Sequence, residues 1–271
     1  MENNQIYTIT LPPAGTIRLP VVLSIPHCGT LFPADLAPQY KQELLPPDDT
    51  DWLVDRLYAF APAMGIPVIS ALYSRWVIDL NRDPQSKPLY DDGRVITGLC
   101  TTTNFLGAPI YTDERAAVGE EEVNRRRQLY FEPYHQKVQE LLDETRQQQG
   151  KVLLWDCHSI RQLVPSINSA PFADLILGSV DGHSASPQLV ENVLTNLTAS
   201  GYSVGHNHPF KGGYITRSFG KPEQQQHALQ LEMSKVNYME DNERDYSEER
   251  AAKMQLLLKQ TILAAIQILE R

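Results

Sequence analysis

Val21-Val22-Leu23-Ser24-Ile25 is a continuous apolar run, stopped by Pro26 and followed at once by His27 and Cys28. A strand buried on both faces reads this way, because helices over both sides of a parallel sheet leave no wet face for polar alternation. Similar runs recur at residues 67–72, 77–80, 152–155, 174–177 and 229–233. Helical patterns stand between and after them. Trp52, Leu53, Leu57, Phe60 and Met64 recur at helical spacing over 51–64, with Gly65 as a stop. The longest pattern, 115–149, places Leu129, Tyr130, Val138, Leu141 and Leu142 on its apolar side; Pro133 kinks or divides it and Gly150 closes it. Further helices are expected over 187–199, ended by Gly201, and over 247–269. Residues 82–109 are rich in Pro, Gly, Asp and Thr without clear period, an active-site loop or a small excursion rather than a linker. Strand and helix alternating in this way predict an α/β protein, with a mixed, mostly parallel sheet covered by helices on both faces. No repeat or linker divides the chain, so one domain over 1–271 is expected.

The bulk numbers narrow the function. A chain of 271 residues buries enough core to fold without a disulfide or structural metal. Its net charge of −9 repels phosphate backbones, and nucleic-acid binding would need a concentrated basic patch. The one dense basic run, Arg125, Arg126 and Arg127, stands close to Glu120, Glu121 and Glu122 and reads as a solvated helix face. A small anionic substrate stays possible where a few arginines reverse the field locally. Cys28, Cys100 and Cys157 cannot all pair, which points to a reducing, cytoplasmic setting. No secretion leader is expected from the first residues, and no apolar run approaches the roughly 20 residues that span a bilayer. Oligomeric state is not legible.

In open α/β sheets ligands bind beyond the carboxyl ends of strands. His27 follows the first run directly, Asp79, Asn81 and Arg82 close the 77–80 run, Asp156 and His158 follow 152–155, and Glu232 lies in the last. Either histidine alone reads as a hydrogen-bonded structural residue. Two at equivalent strand ends with acids nearby read as a catalytic zinc site, for which two imidazoles and a carboxylate are a usual ligand set. The carboxylate is Asp51 or Asp49; Asp51 is favoured, although it is also placed to cap the helix beginning at Trp52. Asp156 can orient an imidazole. His206 and His208 form a rival HxH pair, and His135, His183 and His227 have no partner pattern. Cys28 and Cys157 neighbour histidines but face the other way on a strand, as small buried residues. Glu232 is either a general base tuned by burial or a water-facing residue paired in alternation with Gln230. Arg75, Arg82 and Arg217 suit carboxylate binding or surface ion pairs alike. Gly212-Gly213 marks a sharp turn or a close backbone approach.

Six blocks then carry a resemblance. They are residues 24–29 (from Ser24 to Gly29), 50–58 (with Thr50-Asp51-Trp52), 74–84 (with Asp79-Leu80-Asn81-Arg82), Asp156-Cys157-His158-Ser159, 207–214 (from Asn207 to Tyr214) and Leu229-Gln230-Leu231-Glu232. In this order, over about residues 20–240, they resemble the N-formylglutamate amidohydrolase (deformylase) family, related to zinc carboxypeptidases and aspartoacylases. The resemblance implies a three-layer α/β/α sandwich and an enzyme of histidine breakdown that splits N-formylglutamate into formate and glutamate. It implies Zn2+, or another divalent metal, on His27, an acid near Asp51, and His158, with Glu232 as the catalytic glutamate. Asn81 and Arg82 would hold one substrate carboxylate, and Arg75 or Arg217 the other or the oxyanion. One departure stands: the wider superfamily has an HxxE pair, and three residues past His27 this chain has Thr30. The rival readings are a hydrolase of another N-acyl acidic amino acid, a small carboxypeptidase, a metal-free thiol hydrolase, and a non-catalytic binder of an acidic metabolite.

Overall fold

The computed structural model describes residues 5–87, 89 and 98–271. Strand β1 (Tyr7–Thr10) leads into β2 (Val21–Ile25), α1 (Val54–Leu57) and β3 (Val68–Ala71). After the 82–109 excursion, of which residues 88 and 90–97 lie outside the described residues, come α2 (Glu120–Arg126) and α3 (Glu132–Gln149). The second half runs β4 (Val152–Ile160), β5 (Leu175–Gly178), α4 (Pro187–Thr198), β6 (Val204–His206), α5 (Tyr214–Phe219), β7 (Gln226–Ser234) and α6 (Glu248–Leu269). The strands form a seven-stranded sheet in the order β1-β3-β2-β4-β7-β5-β6. Strands β3, β2, β4 and β7 run parallel, β1 and β5 join antiparallel, and β6 is parallel to β5. The sheet is mixed and mostly parallel, as expected.

Alternation along the central strands builds the layers. Leu23, Trp155 and Leu231 point into one core, closed by Val54 and Leu57 of α1, Leu189 and Val193 of α4, and Met254, Leu258 and Ile262 of α6. Val22, Leu154 and Ala228 point into the other, closed by Val138, Leu141 and Leu142 of α3 and by Ile215 and Phe219 of α5. Each Val, Leu, Ile, Phe or Met among them, withdrawn from water, contributes about 1.5–3 kcal/mol. The result is a three-layer α/β/α arrangement. No helix among the described residues is long and apolar enough to cross a membrane.

Several expected elements differ. Residues 77–80 are not a strand: Trp76 and Val77 drop instead into a separate cluster with Tyr40 and Tyr111, so Asp79, Asn81 and Arg82 belong to a loop. The 51–64 helix is reduced to the single turn α1 and a 3-10 turn at Pro62–Met64, because Leu53 takes a left-handed φ of 58° and Pro62 cannot continue an α-helix. The 115–149 helix starts at Glu120 and is broken by a π-helical turn, Arg127–Phe131, just before Pro133. A π turn rotates what precedes it out of phase, so Leu129 is left exposed while Phe131 is buried. Strands β4 and β7 extend well past their apolar runs, and β1, β6 and α5 had no clear pattern.

The basic run corrects a further expectation: Arg126 is fully buried rather than solvated. Its Nε donates to Glu122 Oε1 at 2.7 Å, and its Nη1 donates to Val77 O and Tyr111 Oη, both at 3.0 Å, and to Tyr40 Oη at 3.2 Å. One guanidinium thus ties α2 to the loop that carries Arg75, Asp79 and Asn81. Removing it strands buried acceptors at about 1–3 kcal/mol each, while the half-exposed Glu122 rehydrates. Urea denaturation of Arg126→Ala should show a loss of roughly 2–4 kcal/mol; an unchanged midpoint would contradict this account of the loop anchor.

Candidate active site

The face of the sheet that packs on α3 and α5 changes character along its length. Near the strand starts it shows Val22, Leu154 and Ala228; toward the carboxyl ends it shows Ser24, Asp156, His158, Gln230 and Glu232. The parallel register sets Asp156 beside Gln230 and His158 beside Glu232. Next to them β2 ends at Ile25, Pro26 turns the chain, and His27 enters the same space. The Asp51 backbone N–H donates to His27 O at 3.0 Å, which brings the 48–51 acidic stretch alongside.

Among the described residues, His27, Asp51 and His158 each offer a potential metal-ligand atom, all within 4.8 Å of one another and all buried. His158 Nδ1 lies 3.0 Å from Asp51 Oδ2, and His27 Nδ1 lies 3.8 Å from the same oxygen. The far nitrogen of each ring faces another carboxylate: His27 Nε2 is 2.8 Å from Asp79 Oδ1, and His158 Nε2 is 3.2 Å from Asp156 Oδ2. Imidazoles that bind a metal through one nitrogen usually donate the other N–H to such a group, which fixes tautomer and ring orientation. His27 Nδ1 is buried and has no hydrogen-bond partner, an expensive state that a cation at this point would relieve. The donor set fits a divalent metal.

Burial and charge pull on these groups in opposite directions. Burial raises the Asp79 pKa, but the Arg75 and Arg82 guanidiniums and His27 hold it well below the usual carboxylate range. Burial likewise raises Asp51, but the hydrogen bond from His158 and the charges of His27, His158 and Arg75 outweigh it and keep the carboxyl ionised. His27 is pushed below the ordinary imidazole range by burial and by Arg75. His158 is held well above it, because Asp156 and Asp51 overcome the cost of burying its charge.

The two acids of the 48–51 stretch part company. Asp49 accepts from Trp76 Nε1 at 2.9 Å and from the Phe105 backbone N–H at 3.1 Å, away from the imidazoles. Asp51 faces the imidazoles and does not cap α1, where Leu53 holds the N-cap position without a side-chain bond. Arg75 Nη2 lies 2.6 Å from Asp79 Oδ2, and its guanidinium rests on the Phe105 ring at 4.7 Å from the centroid. A cavity of about 190 Å³ opens over this floor. His27, His158, Glu232, Asn81, Arg75 and Arg82 line its polar side, and Phe105, Phe210, Ile160 and Ile167 its apolar side.

Glu232 is buried at the cavity rather than on a water-facing strand surface; burial pushes its carboxyl up to about 7, against the pull of His158. Arg217 is not among the residues lining the cavity, and its Nε donates to Gly212 O at 3.0 Å. The HxH pair lies elsewhere: His206 Nε2 is 2.9 Å from Ser179 Oγ. His135 packs on Phe131, and burial lowers it to about 4. Burial raises the thiols of Cys28 and Cys157 well above their ordinary range, the wrong direction for a nucleophile. Gly212 turns at φ 113°, and a Cβ on Gly213 would collide with the Asn81 amide. Three participants gave little sequence signal: Gln230, Phe105, and Lys235, which donates to Asp48 O at 2.9 Å and is lowered to about 8 by burial. Gln230 could have been found two residues from Glu232 on the same strand face.

The chain matches the family model described as N-formylglutamate amidohydrolase over residues 19–239. It is 40% identical over 251 residues to the N-formylglutamate deformylase of Pseudomonas putida, covering 92% of this chain and 93% of that one. The N-formylglutamate deformylase of Pseudomonas aeruginosa is 39% identical over 225 residues, covering 83% of this chain and 84% of its own. A crystal structure of N-formylglutamate amidohydrolase from Ralstonia eutropha JMP134 superposes with a TM-score of 0.76 at 31% identity, over 98% of this chain and 97% of that one. With the fold and the match running together over most of its length, this chain belongs to the N-formylglutamate amidohydrolase family.

Proposed function

We propose that the protein hydrolyses N-formyl-L-glutamate to formate and L-glutamate, as one catalytic unit over 1–271, with a divalent cation, Zn2+ first among them, held by His27, Asp51 and His158. The observation that carries this reading is the convergence of those three side chains beside the buried carboxylate of Glu232. A divalent cation there supplies Lewis acidity toward water and the amide carbonyl. Glu232 takes a proton from the attacking water and delivers it to the amide nitrogen as the C–N bond breaks, so one water adds across the bond. Its place on the cavity floor, and a pKa near neutrality, suit a group that must both accept and give.

Arg82, partly exposed at the cavity, takes a substrate carboxylate. Asn81 serves it indirectly: its Oδ1 accepts from the Ile215 N–H at 2.8 Å, and its Nδ2 lies 3.0 Å from His158 Nε2. Arg75 is anchored by Asp79 and faces the negative charge that develops during attack. Arg217 has no part in this scheme. The three unpaired cysteines agree with a reducing, cytoplasmic setting, and the family resemblance with a place in histidine breakdown.

Purified protein should release formate from N-formylglutamate, lose that activity on chelation and regain it with Zn2+, and His27→Ala should lower the bound metal measured by elemental analysis. Full activity in metal-free protein would end the metal assignment. Glu232→Gln should keep its metal and lose about 100- to 10,000-fold in turnover; near-normal turnover would remove Glu232 from its role. Because burial raises Glu232, its base form is lost as pH falls through its pKa, and a bound cation draws that pKa down. The acidic limb of kcat/KM should therefore lie at or below about pH 7. A rate that rises as pH falls through this range would contradict the assignment.

A further inference from the structure

Gln230 stands two residues before Glu232 on β7, with its side chain buried on the same face. The amide oxygen Oε1 accepts from the Gly213 N–H at 2.7 Å and from Asn81 Nδ2 at 3.4 Å. Asn81 is itself oriented, because its Oδ1 accepts the Ile215 N–H at 2.8 Å and its amide end is thereby turned toward Gln230. Flipping the Gln230 amide would set its NH2 group against the Gly213 N–H, so this contact admits one orientation. In that orientation Nε2 donates to Glu232 Oε2 at 3.3 Å.

We propose that Gln230 is a positioning residue for the reaction: locked by Gly213 and Asn81, it holds one carboxylate oxygen of Glu232 and leaves the other to handle the proton. With Oε2 occupied by a donor, the proton that Glu232 carries sits on Oε1, so proton transfer proceeds from a single oxygen in a single rotamer. The glycine at 213 is part of the device, since a Cβ there would drive the Asn81 amide out of place. Nothing in a carboxylate's own geometry distinguishes its two oxygens. Gln230 does so by chemistry, at the carboxylate that lines the cavity among the described residues.

This inference rests on Glu232 as the proton-transfer group, and its test separates the two. Gln230→Glu is nearly isosteric and keeps an acceptor for Gly213 and Asn81 but replaces the donor toward Glu232 with an oxygen; Gln230→Met removes both. Each is assayed with N-formylglutamate, alongside Glu232→Gln, with metal content and thermal melting measured on the same preparations. Expected is a fall in kcat of about 10- to 100-fold, the range typical of lost outer-shell partners, with KM changed less than about threefold and metal content unaltered. A kcat within twofold of the parent in Gln230→Glu, or a loss confined to KM, overturns the proposal whether or not Gln230→Met folds. If Glu232→Gln retains turnover, the underlying reading has failed. If Glu232→Gln is inactive and Gln230→Glu is not impaired, only this inference has.

Discussion

Asp51, Asp79, Asp156, His27, His158 and Arg75 are all withdrawn from water at one end of the sheet, and burying charge is tolerable only where each charge meets another. Arg75 answers Asp79, Asp79 takes Nε2 of His27, and Asp51 and Asp156 take the two nitrogens of His158. Removing any one member leaves a buried charge or lone pair uncompensated. The site is held together by this mutual dependence more than by any single bond. Among the described residues His27 Nδ1 is buried without a hydrogen-bond partner, and it falls where the imidazoles and Asp51 converge.

The scaffold meets this demand by dividing labour. The central parallel strands supply His158, Gln230 and Glu232 from rigid backbone whose opposite face is packed with Trp155, Cys157 and Leu231. Loops supply the rest, and each is pinned from behind. Arg126 holds Val77 and with it the Arg75–Arg82 segment, Asp49 holds Phe105 under Arg75, and Lys235 holds the carbonyl of Asp48 near Asp51. A site assembled from loops reaches strand-like definition only where buried polar anchors of this kind remove the loops' freedom.

Much of this was legible. The apolar runs around Val22, Leu154 and Leu231 announced buried strands, and His27, His158 and Glu232 stood out as polar residues where apolar runs ended or should not contain them. The departures share one cause. Residues 77–80 have strand composition but are claimed by Tyr40, Tyr111 and Arg126, all distant in sequence. Arg126 reads as solvated because three arginines in a row usually are, and only the packing of α2 shows that one of them is buried.

By itself the sequence settled what is local: which stretches are apolar enough to become central strands, where they end, and which chemical groups sit at those ends. It left open whether Asp49 or Asp51 meets the imidazoles, whether Glu232 faces water, and which arginines reach the cavity. Those were decided by strand order and register, which set His158 beside Glu232, and by long-range anchors that turn Asp49 toward Trp76 and Asp51 toward His27 and His158. The physical reason is that periodicity along a chain reports which face a residue occupies, whereas partnership between buried charges depends on segments more than a hundred residues apart, as Asp51 and His158 are.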